Sequence, residues 1–538
     1  MEIKGKIVDI HTRKIFNGAI YIENGYIRSI RSSVEKQNSY ILPGFIDAHV
    51  HIESSMLTPS AFAAAAVVHG TVAAVCDPHE IANVLGVEGV EFMIQNASTS
   101  EMDFYFGVPS CVPATPFESN GAAIGIEETR ELLKRKEIKF LAEMMNFPGV
   151  LAGDRLVMGK IKEAKLKEKP VDGHAPGLKG EDLRTYAAAG ITTDHEATDL
   201  EEAREKILNG MNILIREGSA ARNLKALNQL IEESPEMVML CCDDIHPEML
   251  AKRHINSMVR ELVGMGHDIF KVLRATSLNP VSHYKLETGL LRVGDKADFI
   301  IVDNLNDFNI EATWIGGIEV YRKGGPGIKI TEAKPVNFFN AMEISAADIT
   351  VKREGDRLRL IEAFDGQLYT AEIIEDCRPG SMVESDPSRD LLKMVVKDRY
   401  RDLPPAAAFI RGFGLTRGAF ASSVAHDSHN IIAVGADDES IAGAVNEIIR
   451  LKGGLAVYDR GKIDSVKLDI GGIMTNVPCG TIAARYEELS GLVKAMGCSL
   501  ASPFMTLSFM ALLVIPELKL GDRGLFKLGS FSFVDLFA

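Results

Sequence analysis

Two histidines one residue apart, His49 and His51, are the first residues in the chain whose spacing could do chemistry. They close the run FIDAHVH (45–51), whose apolar character predicts a strand, and residues i and i+2 of a strand point to the same face. Further on, Glu143 lies in KFLAEMM (139–145), His174 in PVDGHA (170–175), His195 in ITTDHE (191–196), and Asp243-Asp244 end MVMLCCDD (237–244). Imidazoles take zinc, iron or manganese and a carboxylate can bridge two ions, so the set suits one or two divalent metals. Such an ion lowers the pKa of water to about 7 and supplies hydroxide near neutrality. A carboxylate at the last strand can accept the proton and pass it to a leaving group. Taken singly, each piece has a structural explanation: a strand histidine is often a packed core residue, and Asp at a strand end is often a cap or turn residue. Position joins them, because every candidate falls at the predicted end of its own strand.

The elements that must place them are legible as a series. Eight strand candidates run in order: 45–51, 71–77, 103–109, 139–145, 170–175, 191–196, 211–217 and 237–244. Their spacing of roughly 20 to 36 residues holds one strand, one helix and two loops, which predicts βα units around a parallel sheet. Eight units favour a closed (β/α)₈ barrel, whose active-site groups sit at the C-terminal ends of the strands. The first forty residues are β-rich, with a hairpin signal at Asn24-Gly25, and ADFIIVD (297–303) returns to strand character after the barrel. The expected organisation is a small composite β-sandwich from 1–43 and 286–335, a catalytic barrel over 44–285, and a C-terminal α+β domain over 336–538.

Composition sets bounds on partners and compartment. The 538 residues carry a net charge of −15, which argues against a nucleic-acid partner. The seven cysteines lack a CxxC and a regular spacing, so a reducing, cytoplasmic location is expected. No apolar run approaches the about 18 residues of a membrane span, and the N-terminal MEIKGKIVDIHTRK has no signal-peptide core.

PGFIDAHVH, the strand-end histidines and the closing ATSLNP and GLLRVGDKADFIIVD resemble the amidohydrolase superfamily over about residues 1–335. The longer runs PGFIDAHVHIESSMLTP, CDPHEIANVLG, FLAEMMNFPGVL, DGHAPGL and TTDHEAT are similar to the adenine deaminase family of bacteria and archaea. HDSHNIIAVG and SPFMTLSFMALLVIPELKLGDRGLF resemble that family's additional C-terminal domain, so the likeness spans nearly the whole chain. It implies metal ligands at His49, His51, Glu143, His174, His195 and Asp243, with Glu143 bridging two ions and Asp243 preferred to Asp244. It further implies manganese or iron rather than zinc, hydrolysis of adenine to hypoxanthine and ammonia by hydroxide attack at C6, a place in purine salvage, and a homodimer or higher homo-oligomer.

Two departures exclude neighbouring classes. Related deaminases show HxxE at strand five, but the position three after His174 is Gly177, so the ring-protonating acid must come from elsewhere. The cytidine-type motif fails because Ile482 stands where the second Cys of P-C-x-x-C belongs. Candidates for the missing acid or for purine recognition are Glu53, Asp77, His79 and Glu80, with Arg216 and Ser219 as donors. His426 and His429 in HDSHN are expected to form a polar turn or interface segment, with closure of the C-terminal domain over the barrel mouth as the alternative, and Phe504–Leu513 a core or subunit contact. Two alternatives stand beside the deaminase: an amidohydrolase of cyclic amides, against which Glu143 counts because those relatives place a modified Lys there, and an inactive barrel scaffold, against which the complete ligand set counts.

Overall fold

The computed structural model describes residues 1–219, 221–325 and 327–538. Four strands come first: β1 (Glu2–Asp9), β2 (Lys14–Glu23), β3 (Tyr26–Ser32) and β4 (Tyr40–Pro43). The β2–β3 hairpin turns through Asn24 and Gly25, both at positive φ (52° and 81°), the mirror-image turn that matches strand twist and that Asn-Gly accommodates best.

Eight strands then form the barrel: β5 (Phe45–Val50), β6 (Thr71–Cys76), β7 (Asp103–Val108), β8 (Ile138–Met144), β9 (Val171–Gly173), β10 (Thr193–Asp194), β11 (Asn212–Arg216) and β12 (Val238–Cys241). β5 to β9 pair in sequence order as one parallel sheet and β10 to β12 as another. Parallel bridges Val171–Ile191 and Val50–Asp243 join the two and close the ring. β5, β6, β9, β10 and β12 are buried throughout, as expected of a sheet covered by helices outside and packed side chains within. β9 and β10 are only 3 and 2 residues long. Gly173 permits their contact, since a Cβ there would lie 2.3 Å from the carbonyl oxygen of Thr193.

Beyond the barrel, β13 (Phe299–Val302), β14 (Ile310–Ile315) and β15 (Ile318–Arg322) return to the N-terminal strands. Together they make a seven-stranded sheet in the order β15-β14-β13-β4-β1-β2-β3, with β4 joining the two halves.

The C-terminal part is built on an eight-stranded sheet from Arg357–Ala363 to Lys462–Lys467. Helix Asp438–Leu451 covers one face with Ile441, Val445 and Ile448, spaced as one helical stripe. Asp437 caps it by accepting from the Ser440 amide. Helices Cys479–Ala495 and Pro503–Phe509, with the segment 423–430, face the barrel. The seam is polar as well as apolar: Asn430 Nδ2 donates to the Ser119 carbonyl at 2.8 Å, and His246 Nδ1 lies 3.0 Å from the Tyr486 hydroxyl. No described helix is long and apolar enough to cross a membrane.

Candidate active site

The strand ends deliver their side chains to one point. Asp47 Oδ1 on β5 accepts from the Cys242 amide just past β12 (3.0 Å), holding the first and last strands in register. His51 Nδ1 lies 3.1 Å from the Asp77 carbonyl oxygen, which can only accept, so Nδ1 carries the hydrogen and Nε2 presents its lone pair inward. That lone pair meets His49 Nε2 at 3.2 Å, Asp243 Oδ1 at 3.2 Å and Glu143 Oε1 at 3.3 Å. Buried acceptors facing one another are costly without a positive charge between them, and this donor set fits a divalent cation. The other oxygen of Glu143, Oε2, faces His174 Nδ1 at 2.8 Å and His195 Nε2 at 3.1 Å. The rings of His49 and His195 stack 4.4 Å apart beside Asp243. Glu143 therefore stands between two donor groups, one on each carboxylate oxygen.

A guanidinium fixes the second carboxylate. Arg216 Nη1 donates to Asp243 Oδ2 at 2.5 Å and also to Glu196 Oε1 at 2.6 Å, and its Nη2 donates to Glu196 Oε2 at 2.8 Å. Burial would raise the Asp243 carboxyl, but Arg216 and the neighbouring imidazoles hold it well below the ordinary range. Burial opposes the charge on Glu143 too, and His174 and His195 overcome it.

A second layer lies at the rim. His79 Nδ1 is 3.2 Å from Asp77 Oδ2 and 3.6 Å from Glu143 Oε1, while its Nε2 is 3.6 Å from Asp427 Oδ1. Glu80 is clasped by the C-terminal part: Oε1 bonds His426 Nδ1 and Oε2 lies 2.5 Å from His429 Nε2. The cavity, about 420 Å³, is lined by His51, Glu143, His174, His195 and Asp243 and by His426, Asp427, Phe509 and Leu512 from the far side.

Residues 40–320 match the sequence model of the amidohydrolase family, and residues 367–532 that of the adenine deaminase C-terminal domain. The adenine deaminase of Salinibacter ruber is 50% identical over 538 residues, spanning 99% of this chain and 98% of its own. That of Methanosarcina mazei is 50% identical over 549 residues and that of a Sulfurovum species 51% over 536, each covering 99% of both chains. This chain belongs to the adenine deaminase family.

Within an adenine deaminase family member, the six residues expected as ligands come together in one buried array at the barrel mouth. Asp243 faces His49 and His51, whereas Asp244 accepts from Ser54 Oγ at 2.5 Å. His79 and Glu80 lie in the rim layer and line the cavity. Glu53 does not: it sits behind that layer, accepts from the Ile81 amide at 3.2 Å, and is not among the described residues lining the cavity. Burial pushes its carboxyl up to about 7. Ser219 is likewise engaged, its Oγ accepting from the His246 amide at 2.8 Å.

One residue of the site went unread in the sequence. Glu196, the residue after His195, touches both strand-end histidines (3.6 Å to His174, 3.5 Å to His195) and orients Arg216. Its adjacency to His195 at a strand end was the available signal. Of the two forms expected for HDSHN, the structure shows the interface segment: His426, Asp427 and His429 are buried against the barrel mouth, the two imidazoles paired with Glu80 and Asp427 facing His79. Phe504–Leu513 is core as expected, and its Phe509 and Leu512 also wall the cavity.

Proposed function

We propose that this chain hydrolyses adenine to hypoxanthine and ammonia, and that divalent metal would be held by His49, His51 and Asp243 on one side of Glu143 and by His174 and His195 on the other, with Glu143 offering an oxygen to each group. The convergence of four imidazoles and two carboxylates at the mouth of a barrel whose relatives are adenine deaminases carries this reading. When bound, such ions supply Lewis acidity and bring the pKa of water to about 7. The donor set accepts zinc, iron or manganese, and the choice of manganese or iron is what the resemblance to the adenine deaminase family implies.

The chain's own groups move the protons. Water adds to C6 and the C6–N6 bond breaks, so of the water's two protons one must reach the departing nitrogen and the other must replace the proton that His79 gives to N1. Asp243 Oδ1, kept ionised by Arg216, accepts the first and returns it to N6. His79 faces the same cavity and donates to N1; Asp77 and Glu80 hold it in the charged form against its burial. The apolar wall of Phe509, Leu512 and Val514 excludes bulk water.

The finer reading divides the chain at 1–43 with 286–335, 44–285 and 336–538, and sets the reaction in purine salvage in the cytoplasm, which seven free cysteines support. Size-exclusion chromatography with light scattering tests the homodimer. The deciding assay is loss of the adenine absorbance band with stoichiometric ammonia release by protein loaded with Mn²⁺ or Fe²⁺, abolished by His195→Ala. Bound metal without turnover of adenine rejects the assignment.

A further inference from the structure

Behind each of the two metal-facing groups stands a buried aspartate that gathers backbone amides. Asp47, on β5, accepts through Oδ1 from the His49 amide at 3.4 Å and the Cys242 amide at 3.0 Å, which lie at His49 and next to Asp243. Asp194, on β10, accepts through Oδ2 from the Ala175 amide at 2.9 Å and through Oδ1 from the Glu196 and Ala197 amides at 2.9 and 3.0 Å, next to His174 and His195. Both aspartates are 0% exposed. An amide held in this way fixes where the neighbouring side chain starts, so each carboxylate sets the origin of two proposed ligands without touching the ion.

Each aspartate is held in turn by a different partner. Asp47 Oδ2 faces His254 Nε2 at 3.1 Å, and His254 Nδ1 meets the Thr71 hydroxyl at 2.6 Å. A carboxylate oxygen only accepts, so Nε2 carries a hydrogen whether the ring is neutral or charged. Asp194 Oδ1 instead takes Lys206 Nζ at 2.6 Å, which also donates to the Ala175 carbonyl at 2.8 Å. Thr71, His254 and Lys206 are no more than 1% exposed, so water cannot stand in for any of them. The two sets share no residue, and Glu143, on β8, belongs to neither.

We infer that metal affinity is set by two separate anchors: Thr71, His254 and Asp47 for the group of His49, His51 and Asp243, and Lys206 with Asp194 for the group of His174 and His195. His254 and Lys206 are positioning residues. The inference rests on the metal-holding reading above and gives each group its own support.

Equilibrium dialysis of the full-length chain against Mn²⁺, without substrate, tests it in two backgrounds. His195→Ala leaves the first group whole, and His49→Ala the second. In the His195→Ala chain, adding His254→Phe is expected to weaken Mn²⁺ binding about 10- to 100-fold. In the His49→Ala chain the same change alters it by about 2-fold or less. Lys206→Met gives the reverse pattern. His254→Gln, whose side-chain amide can take the place of Nε2–H, restores most of the loss, which a general loosening of the barrel would not allow. Equal weakening in both backgrounds overturns the inference, as does a Gln variant no better than Phe. Thr71→Val, which removes only the hydroxyl, carries the same test if the Phe variant does not fold, and the first anchor decides the matter if Lys206→Met does not. A wild type that binds no Mn²⁺ overturns the metal reading and the anchors with it. A wild type that binds two ions, with variants that weaken both alike, overturns the anchors only.

Discussion

At the scale of single residues, function depends on side chains that hold other side chains. Arg216 is the clearest case, because it fixes Asp243 and, through Glu196, touches both His174 and His195. Arg216→Gln should lower kcat by about 10- to 100-fold, the usual cost of losing an outer-shell partner of a ligand. Metal analysis accompanying the steady-state kinetics checks it, and an unchanged kcat would remove Arg216 from the site. The six proposed ligands were legible as candidates because each falls at the end of a strand with a clear pattern, so type and position coincide. The pairing of Glu80 with His426, each singled out in the sequence, was not: they meet across 346 residues, and no local pattern encodes such a contact. Nor does its place after the first barrel strand show whether Glu53 reaches the cavity, which two acid candidates of the second strand end, His79 and Glu80, line.

Single elements carry buried charge that ties the strand ends together. Lys206, on helix Leu200–Leu208, is fully buried and donates to Asp194 Oδ1 at 2.6 Å, Glu202 Oε1 at 2.7 Å and the Ala175 carbonyl at 2.8 Å. It thus clamps the residues next to His174 and His195. Lys206→Met leaves Asp194 and Glu202 buried without their cation, and breaking such a pair costs about 3–5 kcal/mol. Thermal unfolding should shift down accordingly, and an unchanged melting temperature would show the clamp to be dispensable. The barrel strands were readable from apolar runs, but β9 and β10 shrink to fragments because Gly173 lets two backbones approach, a tertiary fact without periodicity. Strand Leu518–Gly521 yields a pH effect. Burial pulls the Lys519 ammonium down to about 7, with its Nζ donating to the Leu368 carbonyl at 2.6 Å. The unfolded chain keeps that proton up to about pH 10.4, so it binds more protons than the native state between about pH 7 and 10.4. The destabilisation is full below pH 7 and fades as pH rises through this window. Lys519→Met should therefore be more stable than wild type at pH 7, with the gain shrinking toward pH 10. Urea midpoints at the two pH values test the sign, and a gain that grows with pH would contradict it.

Over the whole molecule, the site acts as the fastening of the ring. Its six proposed ligands come from β5, β8, β9, β10 and β12 or the residues just past them, and its rim is closed by a segment more than 180 residues beyond the last of these. Without cations, lone pairs and carboxylates face one another across a few ångströms in a buried space, so any ion that binds the folded chain alone stabilises all of these elements at once. At a free metal concentration 100 times the dissociation constant, each ion contributes about 2.7 kcal/mol. Two such ions should raise the melting temperature by about 5–10 °C, allowing about 1–2 °C per kcal/mol for a chain of this size. Scanning calorimetry of protein stripped by chelator, before and after Mn²⁺ is restored, measures this directly. The rise should saturate at two ions per chain and vanish in a His49→Ala, His195→Ala double variant, in which both proposed positions have lost a ligand. Saturation at one ion would assign Glu143 to a single centre, and a melting temperature indifferent to metal would mean that protein packing alone holds the ring closed.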